Sequence, residues 1–175
     1  GGARDRVMAY GSGGFTSYDD AQLRDQLAHW VEVDGCTAVK MKIGAQPERD
    51  PQRVKTAREA IGDVELFVDA NGALTVNQAL QCAARIAGEG VAWFEEPVSS
   101  DDLAGMHLVR EAAPASMDIA AGEYAYTSDD FRRMLEAQAV DVLQADASRC
   151  GGGTGFMLAA QVWDAGHIPL SEHCA

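Results

Sequence analysis

Twenty-seven acidic against fourteen basic side chains give this 175-residue chain a net charge of −13, a balance that repels the phosphates of nucleic acids and anionic membranes. With 47% hydrophobic residues it can bury one substantial core, and with no membrane-length apolar run and no signal-peptide pattern a cytoplasmic enzyme or domain is expected. Four cysteines (Cys36, Cys82, Cys150, Cys174) fall at no metal-ligand spacing and read as reduced, partly buried thiols.

Apolar β-rich runs alternate with helical patterns along the chain. The first strand is expected at residues 7–10, then a glycine-rich loop, Gly11-Ser12-Gly13-Gly14-Phe15, suited to contact substrate, then a helix near 18–33. Strands at 38–43, 66–69, 91–94, 118–121, 142–145 and 168–170 follow, separated by helices near 51–61, 76–88, 100–112, 128–137 and 153–165. Asp50-Pro51 supplies a cap and a first-turn proline, Thr75 and Ser128 suit N-caps, and Gly62, Gly88 and Gly166 stand where helices should stop. Regular strand–helix alternation of this kind implies a parallel α/β sheet in a single domain spanning residues 1–175.

Six polar residues keep step with those units. Lys42, Asp69, Glu95, Glu123, Asp146 and His173 are separated by 27, 26, 28, 23 and 27 residues, each at or near the end of an apolar run. In a parallel barrel all strand C-termini meet at one mouth, so this spacing predicts an active site before any residue has a role. A complete (β/α)8 barrel takes about 250 residues, so the seven visible strands are expected to be an incomplete barrel.

Strand period puts Lys40 and Lys42 on one face of the second strand and Val39, Met41 and Ile43 on the other. The apolar face should pack under helices, which turns both lysines into the barrel. Two ammonium groups this close should lower each other's pKa and prepare one of them as a base. Asp69, Glu95 and Glu123 end the next three units, and three carboxylates at one mouth call for a cation, the all-oxygen set suiting a hard ion such as Mg2+. Asp69 or Glu95 could alone be a helix cap. Glu96 has the opposite parity to Glu95 and is expected to support the site without ligating. Asp146 beside His173 would fix the imidazole tautomer and raise its basicity, as a general base requires. Arg149-Cys150-Gly151-Gly152-Gly153-Thr154-Gly155 lacks a phosphate-loop ending and reads as a tight turn beside the site.

On these residues jointly the chain resembles the barrel domain of the enolase superfamily, mandelate racemase subgroup. The resemblance implies a (β/α)8 barrel of the modified enolase type, with Lys40, Lys42, Asp146 and His173 catalytic and Asp69, Glu95 and Glu123 as Mg2+ ligands. It also implies a small-molecule carboxylate substrate, an enediolate intermediate and a homo-oligomer. An N-terminal capping domain and an eighth strand carrying a glutamate belong to that pattern and are not among these residues. Dehydration of an acid sugar is the first expectation, with racemisation or epimerisation of a 2-hydroxy acid, or a non-catalytic barrel module, as alternatives.

Overall fold

The structure, a computed structural model, describes residues 6–174. Strands and helices alternate as β1 (Gly11–Gly13), α1 (Asp20–Glu32), β2 (Ala38–Lys42), α2 (Asp50–Ile61), β3 (Glu65–Asp69), α3 (Val76–Ile86), β4 (Val91–Glu95), α4 (Leu103–Ala112), β5 (Asp118–Ala121), α5 (Ser128–Glu136), β6 (Val142–Asp146), α6 (Gly152–Gly166) and β7 (Leu170–His173). A short 3-10 turn, Ala87–Glu89, extends α3. The seven strands form one parallel sheet in sequence order, β1-β2-β3-β4-β5-β6-β7, curled into a half-barrel. Among the described residues no helix is long and apolar enough to cross a membrane.

Strand alternation sorts the side chains into two clusters. Val39, Met41 and Ile43 of the β2 region, Leu66 and Val68 of β3, Phe94 of β4 and Leu143 of β6 face outward and pack with Leu23, Leu27, Val54, Met106 and Phe131 of the helices. The opposite parity puts Ala38, Phe67, Trp93, Ala120 and Val142 on the concave face, with Tyr10 against them. Phe67 stacks on Trp93 with centroids 4.6 Å apart, and Tyr10 meets both rings edge-on at 5.5 and 5.8 Å. Aromatic pairs of this geometry add about 0.5–1.5 kcal/mol each beyond their buried area. Phe67 and Trp93 stand two residues before Asp69 and Glu95 on the same face, so the rings lie beneath the strand ends.

Several expected boundaries move. The first strand is not residues 7–10: Val7 and Met8 are 81% and 76% exposed, and the ladder with β2 runs through Gly11–Gly13 instead. Glycine suits it because the outer face of β1 lies under α1, where a Cβ on Gly11 would stand 2.5 Å from the Trp30 ring and one on Gly13 2.6 Å from Gln26. The last strand is Leu170–His173, not 168–170, which brings His173 onto the ladder opposite Asp146. Asp50 is not a cap. Arg49 occupies the N-cap of α2, and Asp50 turns inward as its first helical residue. Thr127, one residue before Ser128, caps α5 through Asp130. Gly90 and His167 take the left-handed positions expected of Gly88 and Gly166. Thr75 and Gly62 cap as expected. Cys36, Cys82 and Cys150 are free thiols, and burial pushes the Cys82 thiol up to about 12.

Gly122 joins β5 to Glu123 at φ 133°, and a Cβ there would run into the backbone carbonyl of Gln144 on β6. Neither the φ nor the clash can be relieved by a rotamer. Gly122→Ala is expected to destabilise the protein by about 2–4 kcal/mol, read as a lowered midpoint in urea unfolding, and wild-type stability in that variant would contradict the close β5–β6 approach.

Candidate active site

The parallel register does the assembling. Lys42 pairs with Asp69 and Asp69 with Glu95, one ladder row across β2, β3 and β4, while Asp146 pairs with His173 across β6 and β7. Because side chains two residues apart share a face, Lys40 lies one step deeper on the same concave surface as Lys42. The five strands therefore deliver their terminal polar side chains to one mouth. Glu123 arrives from the segment after β5.

Within that mouth Asp69, Glu95, Glu123 and Asp146 each meet a basic group. Lys40, 1% exposed, donates to both oxygens of Glu95 at 2.6 Å and lies 3.7 Å from Asp69. The Lys42 ammonium, on a side chain 21% exposed, sits in short contact with the Asp69 carboxylate. His173 bridges two acids: Nε2 is 2.6 Å from Glu123 and Nδ1 3.0 Å from Asp146. An imidazole facing a carboxylate through each nitrogen donates twice when it is protonated.

Electrostatics follow this pairing. Burial alone would lower the Lys40 ammonium, but Glu95, Tyr10 and Asp69 outweigh it and hold Lys40 above its ordinary value. The lowering expected from two neighbouring lysines is thus absent at Lys40, since carboxylates, not Lys42, are its nearest charges. Burial, followed by Asp69, pushes Glu95 up against the pull of Lys40. The hydrogen bond to Glu123 raises His173, with a further contribution from Asp146 that together exceed its desolvation. Burial acts to raise Glu123 and Asp146, yet His173 and, at Asp146, Ser148 hold both below the usual carboxylate range.

Residues past the strand ends complete the site, and period 2 does not reach them. Glu96 follows β4 at φ 38°, so its side chain is not where strand parity would put it. It is 1% exposed, one carboxylate oxygen has no hydrogen-bond partner, and burial followed by Glu123, Asp69 and Glu95 pushes it up to about 8. Asn71, at φ 44°, donates its backbone amide to Asp69 at 2.7 Å and its side-chain amide to Glu123 at 3.1 Å, linking two of the acids. The sequence reading passed over Asn71, although an Asn-Gly step directly after a strand is a left-handed turn signal. Ser148 donates through backbone and hydroxyl to Asp146 at 2.8 and 2.5 Å. Arg149 lies 3.7 Å from Asp146 and packs over the Tyr124 ring at 4.6 Å.

These groups fit a divalent cation. Ligand atoms of Glu95, Glu123 and His173 all lie within 4.8 Å of one another, and Asp69 joins them through the Lys40 ammonium it shares with Glu95. The tightest triad therefore holds His173 where the sequence reading placed Asp69. Acceptor oxygens predominate, and the unpartnered oxygen of Glu96 beside them leaves acceptor capacity unmatched, the character of a hard-cation site.

Comparison with known proteins agrees with this architecture. Residues 22–175 match a family described as Enolase C-terminal domain-like. An arabinonate dehydratase of Saccharolobus solfataricus is 36% identical over 99% of this chain and 47% of its own length. A mandelate racemase/muconate lactonizing enzyme-like protein of Rubrobacter xylanophilus superposes with a TM-score of 0.90 at 50% identity, covering 95% of this chain and 46% of that one. A racemase of Streptomyces coelicolor with bound magnesium superposes at 0.89 and 32% identity, over 95% of this chain and 46% of that one. The chain spans about half the length of the relatives it matches. It belongs to the enolase superfamily, within the mandelate racemase subgroup, as a portion of the C-terminal barrel domain.

Proposed function

We propose that this barrel removes the proton α to a carboxylate in an acid sugar and expels the β-hydroxyl, leaving a 2-keto-3-deoxy acid. The observation that carries the reading is the placement of two basic groups, Lys42 on β2 and His173 on β7, on one cluster of carboxylates. A Mg2+ ion held by Asp69, Glu95 and Glu123 would draw charge from the substrate carboxylate as the α-proton leaves.

The remaining chemistry belongs to the chain's own side chains. Lys42 is the more accessible lysine and takes the α-proton. Lys40, enclosed and bound through both oxygens of Glu95, keeps its charge and stabilises negative charge developing nearby. His173 donates a proton from Nε2 so that the β-hydroxyl leaves as water, and the resulting enol tautomerises to the keto acid. Asp146, itself fixed by Ser148, holds Nδ1 and so aims Nε2 at the reacting side. The same two bases support a second reading, favoured by likeness to the S. coelicolor racemase: return of a proton from the His173 side inverts the α-carbon.

One experiment separates these outcomes. Full-length protein is incubated with Mg2+ and a panel of acid sugars and 2-hydroxy acids in D2O, with NMR following α-deuteration and keto-acid release. Dehydration yields the keto acid, racemisation yields deuterated epimer, and a protein silent on the whole panel would favour the non-catalytic module. On an active substrate, Lys42→Ala is expected to lower exchange from its side by about 10²–10⁴-fold and His173→Asn to do the same to dehydration or opposite-side exchange. Full turnover in both variants would eliminate the two-base mechanism.

Metal binding can be read without activity. In calorimetric titration with Mg2+, Asp69→Asn, Glu95→Gln and Glu123→Gln are each expected to weaken binding by about tenfold or more, the order of one lost charged ligand. Glu96→Gln should weaken it less than any of the three, and a larger loss there would make Glu96 a ligand.

A further inference from the structure

Helix α2 opens with two buried charged side chains one turn apart that the proposed chemistry leaves unused. Asp50 is 1% exposed and Arg53 4%. The Asp50 carboxylate accepts the backbone amide of Gly44 at 2.8 Å. On the same helix face, the Arg53 guanidinium donates to the carbonyls of Gly14 at 3.1 Å, Phe15 at 3.0 Å and Tyr18 at 2.8 Å. One side chain thus grips the turn after β2 and the other the turn after β1.

Lys42 lies between those grips. Its backbone amide donates to the Gly14 carbonyl at 3.3 Å, the same residue that Arg53 holds, and Gly44 follows it by two positions. Both turns are tight. Gly14 and Gly44 have φ of 54° and 95°, and an added Cβ would stand 2.6 Å from that of Met41 and 3.0 Å from that of Ala73. Next to Gly14, Phe15 is 48% exposed with its ring edge-on to Tyr18. Each turn has bonds of its own: Tyr18 donates to the Phe15 carbonyl at 2.9 Å and Gly14 to the Gln26 side chain at 2.7 Å, and Arg49 and Asp50 donate to the Gln46 carbonyl at 2.8 and 3.2 Å. The Gly14 carbonyl and the Gly44 amide are nevertheless tied to the side chains of α2.

We propose that Asp50 and Arg53 are positioning residues, a bracket on α2 that fixes the turns on either side of the β2 terminus and so aims the Lys42 amine at the α-carbon. The inference deepens the proposed function and rests on Lys42 being one of its two bases. A bracket of this kind acts on one base and leaves the other alone, whereas a merely structural pair would affect both.

The test uses full-length Arg53→Met and Asp50→Ala, with Arg53→Lys and Asp50→Asn as milder variants should the first two fail to fold. In hydrogen–deuterium exchange, Arg53→Met should speed exchange across residues 14–18 and at the Lys42 amide by about tenfold, and Asp50→Ala should do so at Gly44, with α5 unchanged. On a substrate that wild-type protein turns over, α-proton exchange from the Lys42 side should fall by about 10²-fold, as a displacement near 1 Å would cause, and from the His173 side by less than about threefold. Arg53→Lys should recover part of both effects. Wild-type protection of the two turns in all variants would overturn the bracket, and equal loss on both sides would overturn the aiming role. If wild-type protein exchanged no α-proton on any acid, the proposed function and the aiming role would fail together, while the exchange data would still report whether the turns are held.

Discussion

Charge compensation at the strand ends is the constraint on which this site depends. A parallel ladder puts Lys42, Asp69 and Glu95 in one row and curls them toward Glu123 and His173, so inward-facing charges cannot escape one another. Two like charges 4 Å apart cost about 4 kcal/mol at an effective dielectric near 20. The fold meets this by interleaving signs: Lys40 with Glu95, Lys42 with Asp69, His173 with Glu123 and Asp146. Removing one member would leave an uncompensated buried charge, a larger penalty than the pair's own net worth. The basic residues therefore hold the site together as well as lining it.

Around that network lies a layer that governs direction more than charge. Asn71 ties Asp69 to Glu123, Ser148 orients Asp146, and Arg149 packs between Asp146 and the Tyr124 ring. Most of these groups sit in the turns just beyond the strands, where Asn71 and Glu96 adopt positive φ. Such backbone is uncommon for residues other than glycine and persists only when its surroundings over-determine it. Here Gly72 donates to the Glu96 carbonyl at 2.8 Å and Glu96 to the Ala120 carbonyl at 2.9 Å, which locks the turns to each other.

What could be read in the sequence was whatever repeats. One polar residue per strand–helix unit gave the parallel sheet and brought Lys42, Asp69, Glu95, Asp146 and His173 to a common edge, because β period and unit length are local properties that survive folding. The first strand escaped because the two residues it turns toward α1, Gly11 and Gly13, are glycines required by the neighbouring Trp30 and Gln26, a tertiary demand that outweighs the β-propensity of residues 7–10. Glu96 escaped for a different reason: parity holds only within a strand, and its left-handed turn resets the direction of the side chain. Asp50 looked like a helix cap beside Pro51, but its partner is the Gly44 amide, in the turn ahead of its own helix. Nor could spacing show that ligand atoms of Glu95, Glu123 and His173 lie within 4.8 Å of one another.

A net charge of −13 looks ill suited to a carboxylate substrate, yet the mouth is electrically separate from the surface. Outside the mouth, Asp129 and Glu136 of α5 pair with Arg132, and Glu48, in the turn before α2, pairs with Arg85, and charges beyond about 8 Å are screened at physiological ionic strength. Inside the mouth four basic groups, Lys40, Lys42, His173 and Arg149, face four acidic ones, Asp69, Glu95, Glu123 and Asp146, of which Glu95 is itself pushed up to about 7 by burial and by Asp69. Glu96, pushed up to about 8 chiefly by burial, adds little negative charge at neutral pH. A divalent cation brought into a balanced mouth tips it to positive. Under the proposed function, attraction for an anionic substrate would then arise locally, at the atoms where charge develops, and the acidic exterior would not oppose it.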